Sequence, residues 1–175
     1  TTPLVMTYWN LVDHYGVDAF ARDLASAGGA GLITPDLVPD EAPDWFAAAD
    51  AHGLDRIFLV SPSSSDERIA ATAKACRGWL YATAVMGVTG TREQSSSVAP
   101  DLVARVRTLA PNTLVGVGLG ISTGDQAAQV AAYADAAIVG SAFIKPMLAA
   151  EDAGTPDDLT GVRSVLADLV AGVRR

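Results

Sequence analysis

The residues best suited to chemistry in this sequence are glycines in its second half. "GVTG" (87–90), "GVGLGIS" (116–122) and "VGSAF" (139–143) each follow a short apolar run. Glycine lets the main chain approach a ligand closely, and a helix beginning directly afterwards aims its N–H groups at that ligand. In "VGSAF" the helix would begin at Ser141, which adds a hydroxyl. The chemistry on offer is the cradling of a phosphate by backbone amides, with no need for Lys or Arg. A tight strand-to-helix turn explains any one of these runs equally well. Their recurrence, with the last two as a pair at the end of the array, favours the phosphate site. "GVGLG" lacks the G-x-G-x-x-G spacing, and no acidic residue follows at a second strand end, so a dinucleotide fingerprint is unsupported.

Other side chains offer less. Tyr81 ends an apolar run just before a long polar loop, and reads either as a pocket residue or as a core tyrosine with a satisfied hydroxyl. Asp36, in "ITPDLVPDEA", directly follows the second apolar run. It belongs on the ligand face, and alternatively caps a helix starting near Asp40 or bonds a neighbouring loop. His14 and His52 are far apart in sequence with no third ligand nearby, which leaves no metal site. Cys76 sits among small apolar residues in a helical pattern and reads as core filler, not a nucleophile. As the one cysteine it excludes an internal disulfide framework and fits a reducing cytoplasm. The loop over 85–97 is rich in glycine and hydroxyl residues, the composition of a lid or binding segment.

The elements that must position these residues alternate regularly. Apolar runs at 4–8, 31–35, 56–60, 79–83, 114–117 and 136–139 are rich in Val, Ile and Leu without polar alternation, as in strands covered on both faces. Between them lie stretches with apolar residues three and four apart, such as Phe20 and Leu24, or Leu102, Val106 and Leu109. Ser64-x-x-Glu67 reads as a capping box, Pro100-Asp101 suits a first helical turn, and Gly53 and Gly78 follow helical runs. A final helix is expected over 159–173, after the acidic linker "AAEDAGTPDD". Strand–helix repetition of this kind makes a parallel sheet with right-handed crossovers, wound either as an open doubly wound sheet or as a closed barrel. Six units in 175 residues are three quarters of a barrel, whereas an open sheet needs nothing more.

Half of the 175 residues are hydrophobic and 18% are charged, as in a globular chain with a sizeable core. A net charge of −8 argues against nucleic acid or an anionic membrane surface as the main partner. No apolar run approaches the roughly 20 residues of a membrane span. The chain opens on "TTPLVMTYWN", already inside a strand-like run and without Met, so an upstream segment is expected.

Read in order, "PLVMTYWN", "GLITPDLVPDEA", "MGVTGTR", "GVGLGIS" and "AIVGSAF" closely resemble the tryptophan synthase alpha subunit family over essentially the whole chain. The resemblance implies an α/β fold, a (β/α)₈ TIM-type barrel, with six of the eight βα units here. It implies a single domain over 1–175 comprising strands three to eight, their helices and a C-terminal helix. It implies retro-aldol cleavage of indole-3-glycerol phosphate to indole and glyceraldehyde 3-phosphate in tryptophan biosynthesis, in the cytoplasm. The beta subunit is the implied partner and carries the pyridoxal phosphate, so no cofactor is expected in this chain. Carried over residue by residue, Gly90, Gly120, Gly140 and Ser141 would hold the phosphate, and Met6, Ile33, Tyr81, Thr89 and Leu119 would line the indole and glycerol pocket. Asn10 and Asp36 match positions tied to the lid or to the beta-subunit contact, and Thr89 resembles the threonine that bonds the aspartate as the lid closes. The family's catalytic glutamate and aspartate would lie upstream of Thr1, which leaves no catalytic acid in this chain and predicts that it is inactive alone. The alternative is a non-catalytic barrel fragment that docks on a beta-type subunit or on itself. An indole-glycerol-phosphate synthase would require a lysine at a strand end, and Lys74 and Lys145 are not so placed.

Overall fold

The structure is a computed structural model that describes residues 1–83, 98–118 and 120–175. Its strands are β1 (Leu4–Met6), β2 (Gly31–Ile33), β3 (Asp55–Ile57), β4 (Leu59–Val60), β5 (Leu80–Thr83), β6 (Val115–Gly118) and β7 (Ala136–Ile138). Every neighbouring pair is parallel, and the order follows the sequence, β1-β2-β3 and then β4-β5-β6-β7. β3 and β4 are the two halves of the run expected over 56–60. The first half bonds back to β2 and the second forward to β5, with the Phe58 carbonyl between them accepting the Tyr81 N–H at 3.0 Å. A doubly wound sheet reverses its strand order at a switch point. No reversal occurs among the described strands, so the chain is wound as a barrel, to the extent of six βα units.

The helices are α1 (Trp9–Tyr15), α2 (Val17–Ser26), α3 (Pro43–His52), α4 (Asp66–Ala75), α5 (Val98–Leu109), α6 (Gly124–Ala131), α7 (Ser141–Asp152) and α8 (Thr160–Val173), with a 3-10 turn at Pro39–Glu41. They cover one face of the strands in two clusters. In the first half of the chain Leu32, Leu54 and Phe58 pack with Trp45 and Ala49 of α3 and Val12 of α1. In the second half Val60, Leu80, Ala82, Val115 and Val117 pack with Ile69, Val103, Val106, Val130 and Leu169. Each Val, Leu, Ile or Phe among them, fully removed from water, contributes about 1.5–3 kcal/mol before the entropy of ordering it. Cys76 packs against both clusters. Burial pushes its thiol up to about 11, which fits core filler and not a nucleophile.

Several boundaries differ from expectation. The first strand stops at Met6, and Tyr8 becomes the N-cap of α1, a helix the apolar run concealed because Tyr8 offers no side-chain cap. The N-cap of α4 is Ser65, which accepts the Arg68 N–H at 3.3 Å, while the Ser64 hydroxyl accepts the Ser61 N–H at 3.1 Å. Gly53 closes α3 in the left-handed region at φ 70, as expected. Gly78 does not close α4, which ends earlier on an extended Cys76. Its φ of +100 serves a close approach instead, since a Cβ there would lie 2.9 Å from the Asp55 carboxylate. α7 continues to Asp152, so the first four of the ten residues expected as an acidic linker are helix.

Candidate functional site

Strand alternation decides which residues share the face turned away from the helices. Leu32, Leu80, Ala82, Val115 and Val117 face the helical core, so their neighbours Ile33, Tyr81, Thr83, Gly116 and Gly118 face inward. Met6 is in register with Ile33, so the parallel pair β1–β2 places these two side by side. Tyr81 lies opposite Gly116, and Thr83 opposite Gly118. The glycines are needed there. A Cβ on Gly118 would strike the Tyr81 hydroxyl, and one on Gly116 would lie 2.6 Å from the Trp79 ring. Trp79 and Tyr81 stack with ring centroids 5.8 Å apart, lying over the groove that β6 leaves open. Burial holds the Tyr81 phenol above its usual value of 10.0.

The two glycine loops follow the carboxyl ends of the neighbouring strands β6 and β7. Gly118 is in register with Ile138, and Gly120 and Gly140 each stand two residues further on. Gly120 adopts the left-handed φ of +67. Among the described residues, a Cβ built on either would meet no atom within 4 Å. Gly140 is the N-cap of α7 and Ser141 its first residue, as expected. Among the described residues no side chain caps this turn, and no acid stands in it. A helix of this length carries partial positive charge at that end, with N–H groups pointing outward.

The end of α6 is different. Thr123 and Gln126 form a capping box: the Thr123 hydroxyl accepts the Gln126 N–H at 3.3 Å, and the Gln126 carbonyl accepts the Thr123 N–H at 3.2 Å. That carbonyl also accepts the Ser122 N–H at 2.8 Å, and Asp168 of α8 accepts the Gly124 N–H at 2.6 Å. Two of the first three donors of α6, the Gly124 and Gln126 N–H groups, are thus bonded to side chains. Of the two helices behind the glycine loops, it is α7 whose amides remain available to an anion.

Asp36 bonds a neighbouring segment, the last of the roles its position allowed. Both its oxygens accept the Trp9 N–H, at 2.9 and 3.1 Å, so it caps α1 from the loop after β2. Asn10 is the exposed second residue of that helix, next in sequence to the Trp9 that Asp36 bonds. Thr89, Gly90, Leu119 and the loop 85–97 lie outside the described residues. His52 lies 3.2 Å from the exposed Asp18, and no group of three or more His, Cys, Asp or Glu residues suited to a metal occurs among the described residues. Sequence reasoning placed Gly116 in the run over 114–117 but missed Gly118 as a strand residue, having read it only as a loop glycine. It also missed the T-x-x-Q signature at Thr123, and nothing local marks Asp168.

The comparisons with known proteins agree with one another. The tryptophan synthase alpha chain family profile matches residues 1–164. The alpha chain of Acidothermus cellulolyticus is 61% identical over 172 residues, which are 98% of this chain and 62% of that relative. The one from Mycobacteroides abscessus is 58% identical with the same coverage. The chain therefore spans about three fifths of the length of these relatives. A structure of Mycobacterium tuberculosis tryptophan synthase superposes with a TM-score of 0.87 at 55% identity, over 99% of this chain and 63% of that one. A mutant alpha subunit from Pyrococcus furiosus still reaches 0.81 at 25% identity. The parallel strands in sequential order and the glycine loops paired at their ends have the same explanation: this chain belongs to the tryptophan synthase alpha chain family.

Proposed function

We propose that this chain forms the phosphate-gripping and pocket-forming part of an alpha-type lyase of tryptophan biosynthesis. The reaction is retro-aldol cleavage of indole-3-glycerol phosphate to indole and glyceraldehyde 3-phosphate. Gly120, Gly140 and Ser141, together with Gly90, hold the phosphate. Met6, Ile33 and Tyr81, together with Thr89 and Leu119, face the indole and glycerol portion. The observation that carries the reading is that Gly120 and Gly140 each follow the register pair Gly118–Ile138 by two residues, with Gly140 before a helix whose first turn no side chain caps among the described residues. The stacked Trp79 and Tyr81 support it, since their rings offer aromatic surface to a flat aromatic ligand. No cofactor is assigned to these residues; pyridoxal phosphate belongs to the beta subunit, the proposed partner. A cytoplasmic location fits the single, buried thiol.

Cleavage needs a proton delivered to the indole ring and another removed from the glycerol hydroxyl, by carboxylates within hydrogen-bond reach. Asp36, the carboxylate that most closely follows a strand end among the described residues, spends both oxygens on the Trp9 N–H. The 175-residue chain is therefore expected to bind glycerol 3-phosphate weakly and to release indole negligibly. Calorimetry and a steady-state indole assay test both halves of this. Turnover comparable to that of a full-length relative would overturn the second, and absence of any glycerol 3-phosphate binding the first.

A second reading is a docking module for a beta-type subunit through the Asp36 loop. A groove of about 300 Å³ opens beside that loop, lined by Pro39, Asp40, Ser65, Glu67 and Arg68, with charges of both signs. Co-sedimentation with a tryptophan synthase beta subunit separates the readings, because docking without phosphate binding supports the module alone.

A further inference from the structure

We infer that Asp168, on the last helix, is a positioning residue for the phosphate cradle; this rests on the reading of Gly120, Gly140 and Ser141 given above. α8 crosses α6 where neither has a side chain to keep them apart. A Cβ on Gly172 would run into the Gly124 carbonyl, and one on Gly124 would lie 2.8 Å from the Asp168 carboxylate. At this crossing Asp168 accepts the Gly124 N–H at 2.6 Å, and Arg175 lies 2.8 Å from Asp125. The first two residues of α6 are thus held from outside, Gly124 by α8 and Asp125 by Arg175 just beyond its end.

Gly124 stands four residues after Gly120, and the two residues before it are tied in turn to Gln126. The loop from Gly120 to Thr123 is therefore fixed at one end by β6 and at the other by a helix more than 40 residues away in sequence. Asp168 does two things there. Its charge-assisted hydrogen bond sets where the loop ends, and hence where the left-handed Gly120 sits. It also occupies a donor that would otherwise compete for the anion and places negative charge at that helix end, which directs a phosphate to α7 and away from α6.

The test is glycerol 3-phosphate titration of the intact chain as wild type, Asp168→Ala and Asp168→Asn, with amide hydrogen exchange on the same samples. Asp168→Ala is expected to weaken binding about tenfold, the order of one lost charge-assisted bond. Exchange over 122–126 should rise while the first turn of α7 is unaffected. Asp168→Asn keeps an acceptor oxygen and should recover binding to within about threefold, a rescue that a general loss of stability would not give. Equal binding by the wild type and a folded Asp168→Ala overturns the positioning role and leaves the cradle intact. No binding by the wild type overturns the cradle, and the inference with it. If the alanine variant does not fold, Asp168→Glu carries the test by keeping the charge and displacing the carboxylate; unchanged affinity there overturns the inference.

Discussion

Gly116 and Gly118 do more for the pocket than their size suggests. On one inner stripe of β6 they make the floor over which Trp79 and Tyr81 lie, so the width available to a ligand is set by side chains that are missing. Gly118→Ala would push a methyl into the Tyr81 hydroxyl and force the ring upward. The expected result is indole binding weakened at least tenfold, with glycerol 3-phosphate affinity nearly unchanged, read by titrating the two ligands separately. A stability loss of about 1–3 kcal/mol, the usual cost of overpacking, should accompany it. At this scale the sequence was legible where a backbone feature follows from a local pattern, as in the helix start at Gly140 and Ser141. It was illegible where a residue acts by making room for another, as at Gly118, or by bonding across the chain, as at Asp168, because neither relation leaves a local pattern.

Elements were legible to the extent that their signals are local. The Val-, Ile- and Leu-rich runs locate all the described strands to within two residues, because parallel strands covered on both faces carry that composition and little else does. α1 was hidden because its start signal lies elsewhere: the cap is Asp36, which is 27 residues away from the amide it accepts. That arrangement predicts its own test. Asp36→Ala should cost about 1 kcal/mol, the ordinary value of an N-cap. Hydrogen exchange should accelerate in Trp9–Tyr15 while α2, which begins on Gly16 without a side-chain cap, keeps its protection. Uniform loss of protection in both helices would show that Asp36 does more than cap. The displaced start of α4 has a similar origin. Ser64 and Ser65 both offer hydroxyls, and only the turn through Ser61 decides which one faces the helix.

Across the molecule, two hydrophobic clusters meet along one extended run, Asp55 to Val60, whose first half bonds to the earlier strands and whose second half to the later ones. Cys76 lies on that seam, in contact with both clusters. Its thiol titrates near 9.0 when free and is pushed up to about 11 by burial, so the folded state holds the proton more tightly than the unfolded chain. The stability this confers is complete below about pH 9 and is lost as pH rises through about 11. Urea midpoints should therefore fall over that interval by more in the wild type than in Cys76→Ala, which loses a little packing at every pH. Equal slopes would show that the thiol is not sealed in the seam.

The same seam has a consequence for any molecule that lies in the barrel mouth. Met6 and Ile33 belong to the first cluster's strands, and Tyr81, Gly120 and Gly140 to the second's. A ligand gripped by both sets would act as a staple across the joint, making two loosely yoked bodies melt as one. Occupancy would then sharpen the unfolding transition as well as raise its midpoint.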